Sequence, residues 1–296
     1  MKIIHSYWSR PSLKSEDFNL SDRNKGGWVN KKYNYMSWTL SCLQFRQFYD
    51  DIELVTDSGG YDILINKLGL PYTSVKVVLD ELNDYPPDLW ALGKIYAYSI
   101  QSEPFIHVDG DVYIWGALGK EFHTSPLVAQ NLEDGFLHYE DLYIEIEKSF
   151  EFMPSALKKS QKKNGKILAV NAGLLGGNDI EFFKYYAKQA FDFVDRNIDK
   201  MARIDIGMFN TVYEQALFYA LAEEKQVDIS FYKSDVNNVF DGFCDFYGVP
   251  DRVKYIHTVA GFKRNKYIGD LLAFRLQKDY PEYYFRILNL LNTYQL

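Results

Sequence analysis

The order of short apolar runs in the first 115 residues constrains this 296-residue chain more than any other feature. IIHSYW (3–8), IELVTD (52–57), SVKVVLD (74–80) and PFIHVDGDVYIW (104–115) are strand-like, bounded by polar or turn-forming residues. Helix-like segments separate them at 31–49, 61–68 and 88–101. Met36, Leu40 and Leu43 recur at helical spacing in the first of these, Gly69 and Pro71 stop the second, and Pro86-Pro87 precede the third. Strands alternating with helices predict an α/β fold, a mainly parallel sheet with helices on both faces. Ligands on such sheets bind beyond the carboxyl ends of the strands. Ser6-Tyr7, Asp57, Asp80 and Asp109-Gly110-Asp111 fall at those ends. The polar stretch 11–30 reads as a long loop.

The second half is less regular. LVAQNLE (127–133), KILAVNAGLLGG (166–177), VDISFY (227–232) and VKYIHT (253–258) read as strands. Residues 136–153 read as helical, and Ile180, Phe183, Ala187, Ala190 and Val194 mark an amphipathic helix. Thr211 to Ala222 is nearly all apolar and predicts a buried helix, and the tail from Lys266 is mostly helical. With no linker of distinct composition, the expectation is one domain over 1–265 with a helical C-terminal elaboration over 266–296.

Composition excludes several classes. Apolar residues at 47% and charged residues at 25% are those of a globular chain, not a disordered one. A net charge of −7 argues against a general nucleic-acid binder. Cys42 and Cys244 form neither a disulfide framework nor a zinc motif, which points to the cytoplasm. MKIIHSYWSR lacks the apolar core of a secretory signal, and no run of about 18 apolar residues could span a bilayer. Aromatic residues reach 17%; filling a large core is the first explanation, stacking on sugars or bases the second.

Four short motifs and one lysine carry chemistry. In Asp109-Gly110-Asp111, an apolar strand delivers two carboxylates to one side, with a glycine between them that permits close backbone approach. Hard divalent ions such as Mn²⁺ or Mg²⁺ take such oxygens and keep positions open for phosphate; a plain polar turn is the other reading. Asn171-Ala172-Gly173 lies inside an apolar run, where its amide either serves a ligand hydroxyl or satisfies neighbouring backbone. Glu214-Gln215 interrupts an apolar helix, at a mouth or hydrogen-bonded internally. His257 to Lys263 offers an imidazole, then Gly261 and a lysine suited to phosphate, or else a half-buried histidine before an exposed loop. Lys94 sits among Leu92, Ile95 and Ala97, on a solvent face or facing the sheet. The lysine cluster 158–166 reads as a solvated turn, with steering of an acidic acceptor as the alternative.

In this order the motifs resemble the metal-dependent GT-A glycosyltransferases, in particular the family 8 retaining enzymes that include glycogenin and the bacterial lipopolysaccharide galactosyltransferases. The resemblance spans roughly 2 to 265 and includes the lysine six positions after the histidine. It implies the GT-A fold, a Rossmann-like mixed, mainly parallel sheet, and transfer of a sugar from a nucleoside-diphosphate sugar, a UDP-sugar by family preference. It implies that Asp109, Asp111 and His257 hold Mn²⁺ or Mg²⁺, and that Lys263 and the Gly261 backbone grip the diphosphate. Ser6, Tyr7 and Asp57 would lie by the nucleoside, Asn171 and Gly173 by the donor sugar, and Gln215, with Glu214, under the reacting carbon. Lys94 would neutralise the donor's developing charge. The acceptor, whether glycan, lipid-linked or peptide, is left open. The chain departs from the family in Glu214 for the usual Asp, in Ala172 for the commoner Ser, and in Lys263-Arg264-Asn265 for Lys-Pro-Trp. These departures bear on the sugar and the stereochemistry more than on the fold or metal. Two other readings remain: a non-catalytic sugar-nucleotide or glycan-binding protein, and a haloacid-dehalogenase-like phosphatase with Asp109 as nucleophile.

Overall fold

The computed structural model describes residues 1–13, 25–234, 236 and 239–296. Most of the loop expected over 11–30 therefore lies outside the described residues. β1 (Lys2–Tyr7) is buried along its whole length, and a short α1 (Arg10–Leu13) follows. α2 (Lys31–Arg46) starts at Asn30, whose side chain accepts from Lys32 N. β2 (Ile52–Thr56) leads into α3 (Ser58–Tyr61), capped by Asp57 and continued as a π-helical turn over Asp62–Lys67. β3 (Ser74–Val77) is shorter than expected because Leu79–Leu82 coil into a 3₁₀ turn. α4 (Leu92–Ser99) then precedes β4 (Phe105–Val108).

Three runs expected to be single strands are each broken in two. PFIHVDGDVYIW becomes β4 and β5 (Val112–Ile114), with Asp109-Gly110-Asp111 as the turn. LVAQNLE becomes β6 (Leu127–Ala129) and β7 (Leu132–Glu133). After α5 (Leu137–Ser149) and α6 (Ser155–Asn164), KILAVNAGLLGG becomes β8 (Ala169–Val170) and β9 (Leu174–Gly177). The last two breaks fall at Gln130-Asn131 and Asn171–Gly173, where Gln130 N donates to Asn171 O at 3.2 Å and Asn171 N to Asn131 O at 2.9 Å. There the chain leaves one sheet and starts an antiparallel ribbon of β7 with β8. α7 (Ile180–Asp195) is the expected amphipathic helix. α8 (Ile206–Thr211), a π-helical turn over Val212–Ala216 and α9 (Leu217–Lys225) form the expected buried helix, which starts earlier and is less regular than its apolar run implied. β10 (Ile229–Phe231), β11 (Tyr255–His257), α10 (Lys266–Asp279) and α11 (Pro281–Asn292) complete the described elements.

The lysine cluster is not a turn. Four of its five lysines ride on α6, which is capped by Gly165 in the left-handed conformation, φ +68°, and Lys166 follows the cap. Lys159 pairs with Glu224 and Lys163 with Glu223, each at 2.8 Å and exposed on the lysine side.

The main sheet has seven strands in the order β10-β6-β9-β4-β1-β2-β3. β1–β2, β2–β3 and β10–β6 are parallel, and β6–β9 is antiparallel. This is the mixed, mainly parallel α/β sheet that the strand–helix order predicts. β11 stands apart from it, pairing antiparallel with β5.

The chain divides into two compact units. The first comprises Met1, 88–107 and 119–239. Its core is aromatic: the ring of Phe105 lies 4.7 Å from that of Phe183, and Tyr186 and Phe182 each meet Phe218 at 5.3 Å. Gly176 is required there, because a Cβ would sit 2.2 Å from Phe105 O on the neighbouring strand. The second unit comprises 2–87, 108–118 and 240–296. Its core includes Met36 and Leu40 of α2 with Leu272 and Leu276 of α10 and Ile287 of α11. Each such side chain contributes about 1.5–3 kcal/mol on burial. Much of the aromatic surplus is core, since Trp28, Tyr33, Tyr98, Tyr113 and Tyr139 are among the largest fully buried side chains. No described helix is long and apolar enough to cross a membrane.

Candidate functional site

The second unit holds a cluster of metal-ligating groups. β4 ends at Val108, β5 begins at Val112, and Val112 N donates to Asp109 O at 3.0 Å to close the turn between them. α2 braces that turn: Ser37 Oγ donates to Gly110 O at 2.7 Å. A Cβ on Gly110 would lie 2.4 Å from the Trp38 ring, so the turn can sit this close only without a side chain. The antiparallel ladder sets His257 opposite Val112, and Thr258 N donates to Asp111 O at 3.0 Å. One backbone register thus carries an imidazole to a carboxylate 146 positions earlier.

Ligand atoms of Asp109, Asp111 and His257 all lie within 4.8 Å of one another. His257 Nε2 is 3.5 Å from Asp111 Oδ1, and Lys263 Nζ is 2.6 Å from Asp111 Oδ2. Burial of Asp111 opposes its charge, but the Lys263 ammonium and then His257 outweigh burial and hold the carboxyl below its usual range. Two carboxylates and an imidazole are the donor set of a hard to borderline divalent ion. The buried anion already draws a lysine cation, so the residues fit a metal.

Other expected residues of this unit have visible partners. Asp57 is occupied by turn building: Oδ2 accepts from Ser9 N and Oγ at 2.9 Å, and Oδ1 from Gly60 N at 2.7 Å. Burial raises its pKa against the pull of those bonds. The Tyr7 ring lies 4.9 Å from that of Trp38, and Ser6 precedes it on β1. Gly261 is exposed on the 3₁₀ turn Ala260–Arg264 with open space beside it, and Lys263 rises from the same turn. Trp38 carries no signal in the sequence, because an aromatic residue in a helical run reads as core.

The first unit holds a separate buried polar cluster. Lys94 on α4 is not a solvent-face lysine. Its Nζ lies 2.5 Å from Glu214 Oε1, with side chains only 10% and 2% exposed. Glu214 and Gln215 lie in the π-helical turn, a local widening often found at functional sites. Gln215 is hydrogen-bonded internally: Oε1 accepts from Ala172 N at 3.0 Å, and Nε2 donates to Tyr139 OH at 2.9 Å. Asn171 sits at a strand break rather than mid-strand; Nδ2 donates to Glu133 Oε1 at 2.7 Å, and Oδ1 accepts from Gly173 N at 3.0 Å. Glu133 and Tyr139 join this cluster without belonging to any of the sequence motifs. The carboxylate closing the apolar run LVAQNLE was the available signal for Glu133.

Among solved structures, the chain is similar to the galactosyltransferase LgtC in complex with donor and acceptor sugar analogues, at 14% identity and TM-score 0.36 over 72% of this chain and 70% of that one. It is similar to an active-site mutant of LgtC at 11% identity and TM-score 0.44, over 92% of this chain and 95% of that one. It is also similar to apo mouse xyloside xylosyltransferase 1 at 10% identity and TM-score 0.40, over 86% and 96%. No curated protein matches the sequence. A family profile described as "Family of unknown function (DUF6734)" matches residues 1–290, and the chain belongs to that family.

Proposed function

We propose that this chain is a metal-dependent glycosyltransferase that moves a sugar from a UDP-sugar to an acceptor with retention. The observation that carries the proposal is the convergence of Asp109, Asp111 and His257 within 4.8 Å, with Lys263 2.6 Å from Asp111. A divalent ion such as Mn²⁺ or Mg²⁺ bound by these three residues would stabilise the negative charge on a departing diphosphate.

The remaining roles belong to the chain's own groups. In the second unit, Lys263 and the open backbone at Gly261 meet the phosphates, while Ser6, Tyr7 and Asp57 border the nucleoside. In the first unit, Asn171 and Gly173 contact the donor sugar. Gln215 presents its side-chain carbonyl to the oxocarbenium-like carbon with Glu214 beside it, and Lys94 balances the charge. Residues 1–265 are the catalytic domain of this reading, and 266–296 its helical elaboration. Both cysteines are free thiols, which suits a cytoplasmic enzyme.

Calorimetry with Mn²⁺ and UDP tests the metal, and turnover of UDP-sugars tests the chemistry. Asp111→Ala is expected to abolish metal-dependent UDP binding, and unchanged binding removes Asp111 from the site. Gln215→Ala is expected to spare UDP binding and lower turnover, and equal loss of both contradicts its role. Wild-type protein that binds UDP with Mn²⁺ yet neither hydrolyses nor transfers any UDP-sugar is a sugar-nucleotide binder instead. Hydrolysis of simple phosphate esters through Asp109 is the phosphatase outcome.

A further inference from the structure

The first unit contains a buried chain of hydrogen bonds that ends on one carboxylate. Glu133 is 3% exposed and Tyr139 is fully buried. Tyr139 OH donates to Glu133 Oε2 at 2.6 Å, and Asn171 Nδ2 donates to Glu133 Oε1 at 2.7 Å. Each carboxylate oxygen faces a donor at short range, the arrangement of an ionised, acceptor-only group. The backbone brings these groups together: in the β7–β8 ribbon Glu133 stands opposite Ala169, two residues before Asn171.

A carboxylate that only accepts at one end, and backbone N–H groups that only donate at the other, bracket the groups between them. A tyrosine hydroxyl has one proton. Tyr139 gives it to Glu133, so its oxygen accepts from Gln215 Nε2 at 2.9 Å. With its amide nitrogen committed to Tyr139, Gln215 turns its carbonyl to Ala172 N at 3.0 Å. Asn171 is fixed in the same way: its nitrogen goes to Glu133, so its oxygen accepts from Gly173 N at 3.0 Å. Side-chain amides are nearly symmetric in shape, and only their partners decide which end is oxygen. The backbone N–H groups of Ala172 and Gly173 call for an oxygen at one end of each amide, and Glu133 takes up the donor at the other end, directly from Asn171 and through Tyr139 from Gln215.

We propose that Glu133, acting through Tyr139, is a positioning residue that holds the Gln215 carbonyl oxygen, and the Asn171 amide with it, in the orientation the reaction uses. This inference rests on the proposed glycosyl transfer, because Gln215 has a carbonyl to present only if a reacting carbon meets it. Neither Glu133 nor Tyr139 touches a substrate in this scheme. Glu133→Gln keeps the size but turns one of the two acceptor oxygens into a donor, so either Tyr139 or Asn171 meets a donor where it had an acceptor. Tyr139→Phe keeps Glu133 but removes the relay to Gln215.

The experiment measures kcat and donor KM for the Mn²⁺-dependent hydrolysis of whichever UDP-sugar wild type turns over fastest, in wild type, Glu133→Gln and Tyr139→Phe, with UDP–Mn²⁺ binding by calorimetry as the check on the second unit. A misaimed group costs up to about 100-fold in rate. Both variants are expected to lose roughly 10- to 100-fold in kcat, with donor KM and UDP–Mn²⁺ affinity each held within about threefold. A kcat within threefold of wild type in Glu133→Gln overturns the positioning role while leaving the glycosyltransferase reading intact. Parallel loss of kcat and UDP–Mn²⁺ affinity overturns it too, since that marks general loosening. Wild-type protein without turnover overturns the glycosyltransferase reading, and this role falls with it. Glu133→Asp keeps an acceptor-only group and is expected to retain more kcat than Glu133→Gln; the reverse order refutes the argument from hydrogen-bond direction.

Discussion

Replacing Lys94 by methionine removes the ammonium 2.5 Å from Glu214 Oε1 and leaves the carboxylate in place. The Glu214 side chain is 2% exposed, so water cannot take over the role of the lysine. Methionine matches the lysine stem in length, which confines the perturbation to the charge. Breaking one side of a buried ion pair costs about 3–5 kcal/mol, most of it the penalty of an uncompensated buried charge. At roughly 2–4 °C per kcal/mol for a large domain, Lys94→Met is expected to melt about 6–20 °C below wild type. Glu214→Gln leaves the cation instead and is expected to lose a comparable amount. The double variant Lys94→Met/Glu214→Gln buries no net charge and is expected to be more stable than either single variant. Urea unfolding followed by circular dichroism gives the four corners of the cycle, and melting curves give an independent scale. A Lys94→Met protein within 1 kcal/mol of wild type, or a double variant whose loss equals the sum of the singles, would refute the buried-pair reasoning.

Three further outcomes are expected. His5 bonds to Tyr72 OH and Ser41 Oγ, and burial drives its pKa from 6.5 down to about 3. The unfolded chain therefore binds the extra proton first, and stability declines as pH falls from about 6.5 toward 3. His5→Gln is expected to flatten that slope in melting temperature against pH, and an unchanged slope assigns it to other groups. Gly110→Ala places a Cβ 2.4 Å from the Trp38 ring and is expected to weaken Mn²⁺ binding at least about tenfold by calorimetry; full affinity would mean that the indole gives way. Gly176→Ala drives a Cβ to 2.2 Å from Phe105 O, a backbone atom, and is expected to cost about 1–3 kcal/mol in urea unfolding, whereas a neutral result would show that the two strands separate freely.

Some of this architecture could be read locally. β1, β2, β3 and β4 each come from a short apolar run, and each gap between them contains helical spacing, so the parallel pairing of β1 with β2 and of β2 with β3 follows from pattern. The carboxylates of Asp109 and Asp111 were visible for the same reason, standing at the end of a strand no solvent reaches. His257 was different. Nothing in its neighbourhood marks it as a ligand, and only the order of motifs along the chain suggested its partners.

An apolar run records how deeply its residues are buried. It does not record where their backbone amides find partners, and that is why PFIHVDGDVYIW, LVAQNLE and KILAVNAGLLGG looked unbroken. The breaks depend on ladders such as β5 with β11, formed between segments about 140 residues apart. α6 shows the same limit: lysines coat an exposed helix as readily as a turn. Local spacing determined which residues go inside and that strands alternate with helices, while the order of strands in the sheet, with β4 beside β1, is a tertiary outcome. Tertiary packing decided that Lys94 meets Glu214, that His257 meets Asp111, and that Glu133 meets Tyr139 and Asn171, because a buried charge or hydrogen bond is settled by whatever distant group folding brings within about 3 Å.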